Sequence, residues 1–229
     1  MKTTLIHGQN HRGSTYHVAR MAAEKIGGEI DEFFLPKDFS GICNGCYACM
    51  DRGMQFCPHH GQLGPIFESL LAADVIVVGS PTYVMEMTGQ LKCFFDHLFA
   101  AWLSHRPQGA MFSKKAVVVS TAAGLGMGGV AKSLEKQLFY LGVPKVYRAA
   151  QRVAATSWDD VSAQTKEKIN ARLDKVAGKI KANPRAKPGF KLRFMFSVMR
   201  QMQKKNDWAP LDKKHWEGMG WLKKHRPWR

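Results

Sequence analysis

Residues 73–81, ADVIVVGSP, decide the fold. Val75 to Val78 form an unbroken β-branched run. A strand with one face in water alternates apolar and polar residues, so a run without alternation reads as a strand buried on both faces. Residues 116–121, AVVVST, repeat the pattern. The stretches beside these runs have helical spacing, at 63–72 (LGPIFESLLA) and 88–103. Central strands that alternate with helices and need cover on both sides mean a parallel sheet between two helical layers.

Working outward, KTTLIH at 2–7, EIDEFF at 29–34 and residues 145–150 supply three more strands. Ser14 to Ile26 reads as a helix with Val18, Met21, Ala22 and Ile26 on one face, and Val130, Leu134, Leu138 and Leu141 mark another. Ser157 and Asp160 form an S-x-x-D capping box ahead of Val161, Thr165, Ile169, Val176 and Ile180. The segment NPRAKPG at 183–189 breaks that periodicity with two prolines and a glycine. The expected fold class is therefore α/β: a three-layer, flavodoxin-like fold with a five-stranded parallel sheet and helices on both faces, plus a C-terminal helical tail. Its expected organisation is a domain at 1–182 and a basic, Trp-rich extension at 183–229. No run of 18 apolar residues exists, so no transmembrane segment is expected. The start, MKTTLIHGQNHRG, is too polar for a signal peptide. A cytoplasmic protein is expected, and that compartment disfavours disulfides.

In such sheets ligands sit at the carboxyl ends of the strands. Three loops lie there: 8–15, 80–87 and 121–128. The first, following His7 and opening a helix, presents backbone N–H groups to an anion, with Gly13, Ser14, Thr15, His11 and Arg12 around them. An ordinary helix cap at Ser14 is the plainer reading. The second carries Tyr83, suited to flank a planar ring; a turn with a surface tyrosine explains it equally. The third, STAAGLGMGG, is small enough for a ring to lie against its backbone, or is simply a flexible connection.

Together these loops resemble the NADPH-dependent FMN reductase family of flavodoxin-like proteins. The resemblance rests on H-G-x-x-x-x-G-S-T at 7–15, G-S-P-x-Y at 79–83 and G-Q-L-K-x-F-x-D at 89–96. It extends to C-x-G-C-x-x-C at 43–49 with Cys57 beyond, and to a tail segment D-x-x-x-W-x-x-x-G-W-L formed by Asp212, Trp216, Gly220, Trp221 and Leu222. It implies FMN as cofactor and NAD(P)H as co-substrate. Gln9, His11, Gly13, Ser14 and Thr15 fall where the family places its phosphate contacts. Pro81, Thr82 and Tyr83 fall on one side of the isoalloxazine; Thr121, Ala122, Ala123 and Gly124 fall on the other. Tyr83 and Cys46 are the candidates beside the ring, and no side chain is assigned as acid or base. The chain departs from the family pattern in three places. G-S-P-R is replaced by Gly8-Gln9-Asn10-His11, D-R by Asp96-His97, and the D-D-M after the last cysteine is missing where Pro58-His59-His60 stands.

Cys43, Cys46, Cys49 and Cys57 have the spacing C-x2-C-x2-C-x7-C. Three readings stay open: a 4Fe–4S cluster, as the resemblance to the iron–sulfur flavoproteins implies; thiols lining a flavin pocket; and zinc, taken by the four thiolates or by His59 and His60. Cys93 reads as a small core residue. The expected function is FMN-dependent oxidoreduction from NAD(P)H, or a redox partner, to a small acceptor or a protein. A non-enzymatic electron carrier or redox sensor is the alternative.

Charge is unevenly spread. Residues 179–229 hold 15 Lys or Arg against three Asp or Glu, a balance of +12 that leaves +4 of the total +16 for residues 1–178. Within the tail, Phe190, Phe194, Val198 and Met202 recur every fourth residue, which predicts a basic amphipathic helix. It could cover a neighbouring subunit in a homodimer or homotetramer, lie on an anionic membrane surface, or meet an acidic redox partner; no specific nucleic acid is expected.

Overall fold

The computed structural model describes residues 1–228, so Arg229, the last residue of the expected extension, lies outside them. Five strands form one all-parallel sheet: β1 (Lys2–His7), β2 (Glu29–Phe34), β3 (Val75–Pro81), β4 (Lys115–Ala122) and β5 (Lys145–Arg152), in the order β2-β1-β3-β4-β5. This is the doubly wound, flavodoxin-like order, with its switch point between β1 and β3. The helices are α1 (Ser14–Ile26), α2 (Ala48–Asp51), α3 (His60–Ala72), α4 (Gly89–His97), α5 (Met127–Tyr140), α6 (Ala163–Ala182), α7 (Phe190–Lys204) and α8 (Pro210–Gly218).

The unalternated run in β3 is explained by its two cores. Val75 and Val77, with Val117 and Val119 of β4, join Val18, Ala22 and Ile26 of α1 and Ile169, Leu173 and Ile180 of α6. Ile76 and Val78, with Val118, face the other way, into Leu63, Ile66 and Leu70 of α3, Leu91 and Phe94 of α4, and Leu134 and Leu138 of α5. Each branched side chain removed from water contributes about 2 kcal/mol, so polar residues at these positions have no place on either side.

Three expectations are corrected. The helix expected over 88–103 stops at His97: Leu98, Ala101 and Trp102 bond back three residues, to Phe95, Leu98 and Phe99, giving a tight 3-10 turn at Phe99–Ala101. The Ser157–Asp160 box closes a turn rather than a helix. Ser157 Oγ donates to Asp160 Oδ2 (2.6 Å), and α6 instead starts after Ser162, which accepts from the Thr165 amide. Cys93 is half-buried on the flank of α4 instead of in the core, and its carbonyl accepts from His97.

The tail packs through a third core. Leu192 and Phe196 of α7 and the fully buried Trp216 and Trp221 close on Leu103 and Phe112 of the sheet domain. Asp212, also fully buried, accepts from His105 Nδ1 (2.8 Å) and from Arg106 Nη1 (2.6 Å), while Trp216 Nε1 donates to the His105 carbonyl (2.6 Å). The aspartate and tryptophans of the tail motif are thus the fasteners that hold it to the 103–112 loop. Gly220 takes a left-handed φ of +67° where the chain turns between the two tryptophans.

Candidate functional site

The carboxyl ends of β1, β3 and β4 open on a cleft of about 230 Å³. Gln9, His11, Gly13, Ser14 and Thr15 line it, as do Pro81, Thr82 and Tyr83, and Thr121, Ala122 and Ala123. Gly124 does not, because the loop turns outward there. Arg12 points elsewhere, with its guanidinium 5.4 Å from the Tyr16 ring centroid and 5.8 Å from that of Phe34.

Local sequence builds each wall. Gly8 lets β1 approach β3: its amide donates to the Gly79 carbonyl (2.7 Å), and a Cβ there would sit 2.9 Å from Leu91 and Thr88. The helix cap falls on Gly13 rather than Ser14, with no side-chain bond, so the first-turn amides of α1 keep their donors for a ligand. The Thr15 and Thr121 hydroxyls share a buried hydrogen bond of 2.7 Å that ties the first loop to the third. Gln9 Nε2 donates to the Tyr83 hydroxyl (2.6 Å) and fixes that ring at the rim. Tyr83 and Glu86 exchange two 3.0 Å backbone bonds around a hairpin whose tip, Val84 and Met85, has left-handed φ values of +48° and +67°.

Sequence reasoning missed part of the lining. Val153, Ala155 and Thr156, just past β5, enter the cleft, as do His7 and Tyr16. The rule that strand carboxyl ends host ligands applies to β5 as to β4, and that was the available signal. His7 is buried, stacked on Phe34 and bonded through Nε2 to Glu32 (2.8 Å). Burial depresses its basicity, while Glu32 partly restores it.

A second cavity, about 480 Å³, is lined by all four clustered cysteines together with His59, Phe95, His97 and Trp102. Cys46 belongs to this cavity and does not line the first. Gly45 (φ +70°) and Tyr47 (φ +59°) curl the cysteine loop, and Asn44 Oδ1 accepts from the Cys46 amide. α2 then turns its carbonyl end to Arg106, whose guanidinium donates to the Cys49 and Met50 carbonyls. Burial pushes the Cys49 thiol up, the Cys57 thiol adds to this, and Arg106 opposes it. His59 faces the cavity whereas His60 does not. His97 Nδ1 lies 2.7 Å from the Cys93 carbonyl, which can only accept. In neutral His97, Nε2 is then the acceptor of the 2.8 Å bond from His59 Nδ1. Cys57, His59 and His97 each offer a ligand atom within 4.8 Å of the others. All five cysteines are free thiols.

Residues 1–157 match the family profile described as NADPH-dependent FMN reductase. Among curated proteins, the chain is 30 % identical over 139 residues to an "Iron-sulfur flavoprotein" of Methanosarcina thermophila, covering 59 % of this chain and 70 % of that protein. It is 37 % identical over 115 residues to an "FMN-dependent NADH:quinone oxidoreductase" of Sinorhizobium fredii, covering 48 % of this chain but only 51 % of the relative. Among solved structures, the NAD(P)H:quinone oxidoreductase of Methanothermobacter marburgensis superposes with a TM-score of 0.60 at 16 % identity, over 79 % of this chain and 97 % of that one. At that identity the likeness speaks for the fold alone.

Proposed function

Since the chain belongs to the NADPH-dependent FMN reductase family of flavoprotein oxidoreductases, we propose that it binds FMN in the first cleft and passes electrons from NAD(P)H to a small acceptor of the quinone class. The observation that carries this reading is the convergence of the three loops on one cleft, with an uncapped helix N-terminus at one end and small or flat side chains at the other. The residues present fit the cofactor. The first-turn amides of α1, with Ser14 and His11, would hold the phosphate. Pro81, Thr82 and Tyr83 on one side, and Thr121 to Ala123 on the other, would wall the ring. When bound, FMN supplies the hydride and electron chemistry. The protein's task is to orient: the Thr15–Thr121 bond fixes the spacing of two walls, and the Gln9–Tyr83 bond holds the rim. The exposed ring of Tyr83 leaves the mouth open for a nicotinamide or a quinone.

We further propose that Cys43, Cys46, Cys49 and Cys57 hold a 4Fe–4S cluster. The support is their placement around one cavity, the full set of four thiols, and the relative named for its iron–sulfur content. Such a cluster would supply one-electron transfer. Arg106 at the Cys49 carbonyl and the curled Gly45–Tyr47 backbone would hold the loop in shape.

Visible spectroscopy of anaerobically purified protein, with iron and sulfide assays, tests both parts. Flavin bands, a broad shoulder near 400 nm and about four irons per chain are expected. Flavin without iron would leave the thiols as a bare pocket, and absence of flavin would overturn the reading. Steady NAD(P)H turnover with a soluble quinone separates an enzyme from an electron carrier, which turns over slowly without its partner.

A further inference from the structure

α7 carries two apolar faces. One, with Leu192, Phe196 and Met199, is packed into the third core. The other is the four-residue stripe of Phe190, Phe194, Val198 and Met202, and it faces outward, with Phe190 84 % exposed. Trp208, 74 % exposed, follows just past the helix. The stripe is about 20 Å long, given 1.5 Å of rise per residue. Among the described residues, the rings of Phe190 and Phe194 stack only on each other. Because the opposite face is locked by Phe196 against Trp216 and Trp221, the helix cannot roll to bury the stripe. Residues 183–206 contain seven Lys or Arg and no Asp or Glu.

We propose that this face docks on an anionic lipid bilayer surface. Three features select that occupant. Large apolar and aromatic side chains flanked by cations form the pattern of an in-plane interfacial helix. Each Lys or Arg near an anionic leaflet adds to the attraction. The same charge opposes a second copy: a two-fold contact sets a patch against itself, and here that brings together two surfaces built on residues 183–206, which hold seven Lys or Arg and no acid. The stripe also lies on a convex helix, to which a fluid bilayer conforms without a matching groove. No helix among the described residues is long and apolar enough to cross a membrane, so the association is superficial.

The full-length protein should be sedimented with vesicles of phosphatidylcholine mixed with phosphatidylglycerol, and with phosphatidylcholine alone, alongside light-scattering mass measurement. The expected result is binding to the anionic vesicles that weakens with added salt. The paired variant Phe190→Ser with Phe194→Ser should lose at least about tenfold in vesicle affinity. Its melting temperature, flavin content and oligomeric mass should match the parent. Lys204→Glu with Lys205→Glu should weaken anionic binding while leaving weak binding to the neutral vesicles unchanged. Absence of binding by the parent would overturn the proposal. So would binding that neither pair reduces, or an oligomer that falls apart in the Phe variant, which would assign the stripe to a second copy of the chain.

Discussion

Val84 is 99 % exposed and holds φ at +48°, a region that β-branched residues rarely occupy and that costs about 1–2 kcal/mol outside Gly, Asn and Asp. Nothing in its own contacts compensates, because its side chain is in water. Val84→Asn should therefore raise unfolding stability by about 1 kcal/mol, read as a higher urea midpoint at unchanged slope. An unchanged midpoint would show that the tip relaxes in solution. Strain at an exposed position beside a cleft belongs with sites where geometry serves binding, so the stabilised variant should also show an altered KM for the acceptor. None of this was legible beforehand. The stretch GSPTYVMEMTG marks a turn through its Ser-Pro, but a type of turn that demands positive φ is usually announced by Gly or Asn, and Val84-Met85 is neither. The reverse holds at Gly13. A serine opening a helix reads as its cap, yet the cap fell one residue earlier, on the glycine, which leaves the amides free.

Elements were legible where periodicity alone determines them. β3 and β4 had to be central because every residue from Val75 to Val78 and from Ala116 to Val119 finds a core on its side of the sheet. α7 was legible as an amphipathic helix, but the regular row of Phe190, Phe194, Val198 and Met202 is the exposed one, and the inward row is the buried Leu192 and Phe196 with the half-buried Met199. Two apolar rows on one helix cannot be ranked without the partner surface, and that surface comes from Leu103, Phe112 and α8. The junction between tail and cysteine loop was equally invisible. Asp212 on α8 holds Arg106, and Arg106 holds the carbonyl end of α2 beside Cys49, so three segments far apart in sequence meet through one guanidinium. Removing one partner of a buried ion pair leaves the other charge unmatched. Asp212→Asn should thus cost about 3 kcal/mol of stability. It should also speed alkylation of Cys49 in metal-free protein, followed by mass spectrometry, because α2 loses its anchor. Alkylation at the parent rate, with stability lowered, would confine Asp212 to holding the tail.

Charge is spread unevenly over the whole molecule, with +4 on residues 1–178 and +12 on residues 179–229, and histidines shifted by burial in both parts make its stability depend on pH. Four histidines, His7, His17, His97 and His215, are depressed below the ordinary imidazole value. His7, on the floor of the first cleft, is depressed below the ordinary imidazole value chiefly by burial, against the pull of Glu32. His215, on α8, is depressed by burial too, with the Pro107 carbonyl opposing and Arg106 adding to the shift. Other charged groups face them: Arg20 and Arg12 near His7, and Asp212 near His215. A depressed value means that the folded chain binds fewer protons than the unfolded one between the folded value and about 6.5. Stability therefore rises with pH across that window, is fully present above about 6.5, and is lost as the pH falls through the folded values. The melting temperature should be flat from pH 8 to about 7 and decline below about 6.5. His7→Asn with His215→Asn should make the decline below about pH 6.5 shallower, whatever the variant's absolute stability. A slope in the double variant equal to the parent's would assign the acid sensitivity to other groups: to His17 and His97, also depressed chiefly by burial, or to carboxylates such as Asp31, held low by Ser69 and Lys2. Histidine and carboxylate contributions differ in position on the pH axis, since histidine losses begin near about pH 6.5 and carboxylate losses only near about pH 5.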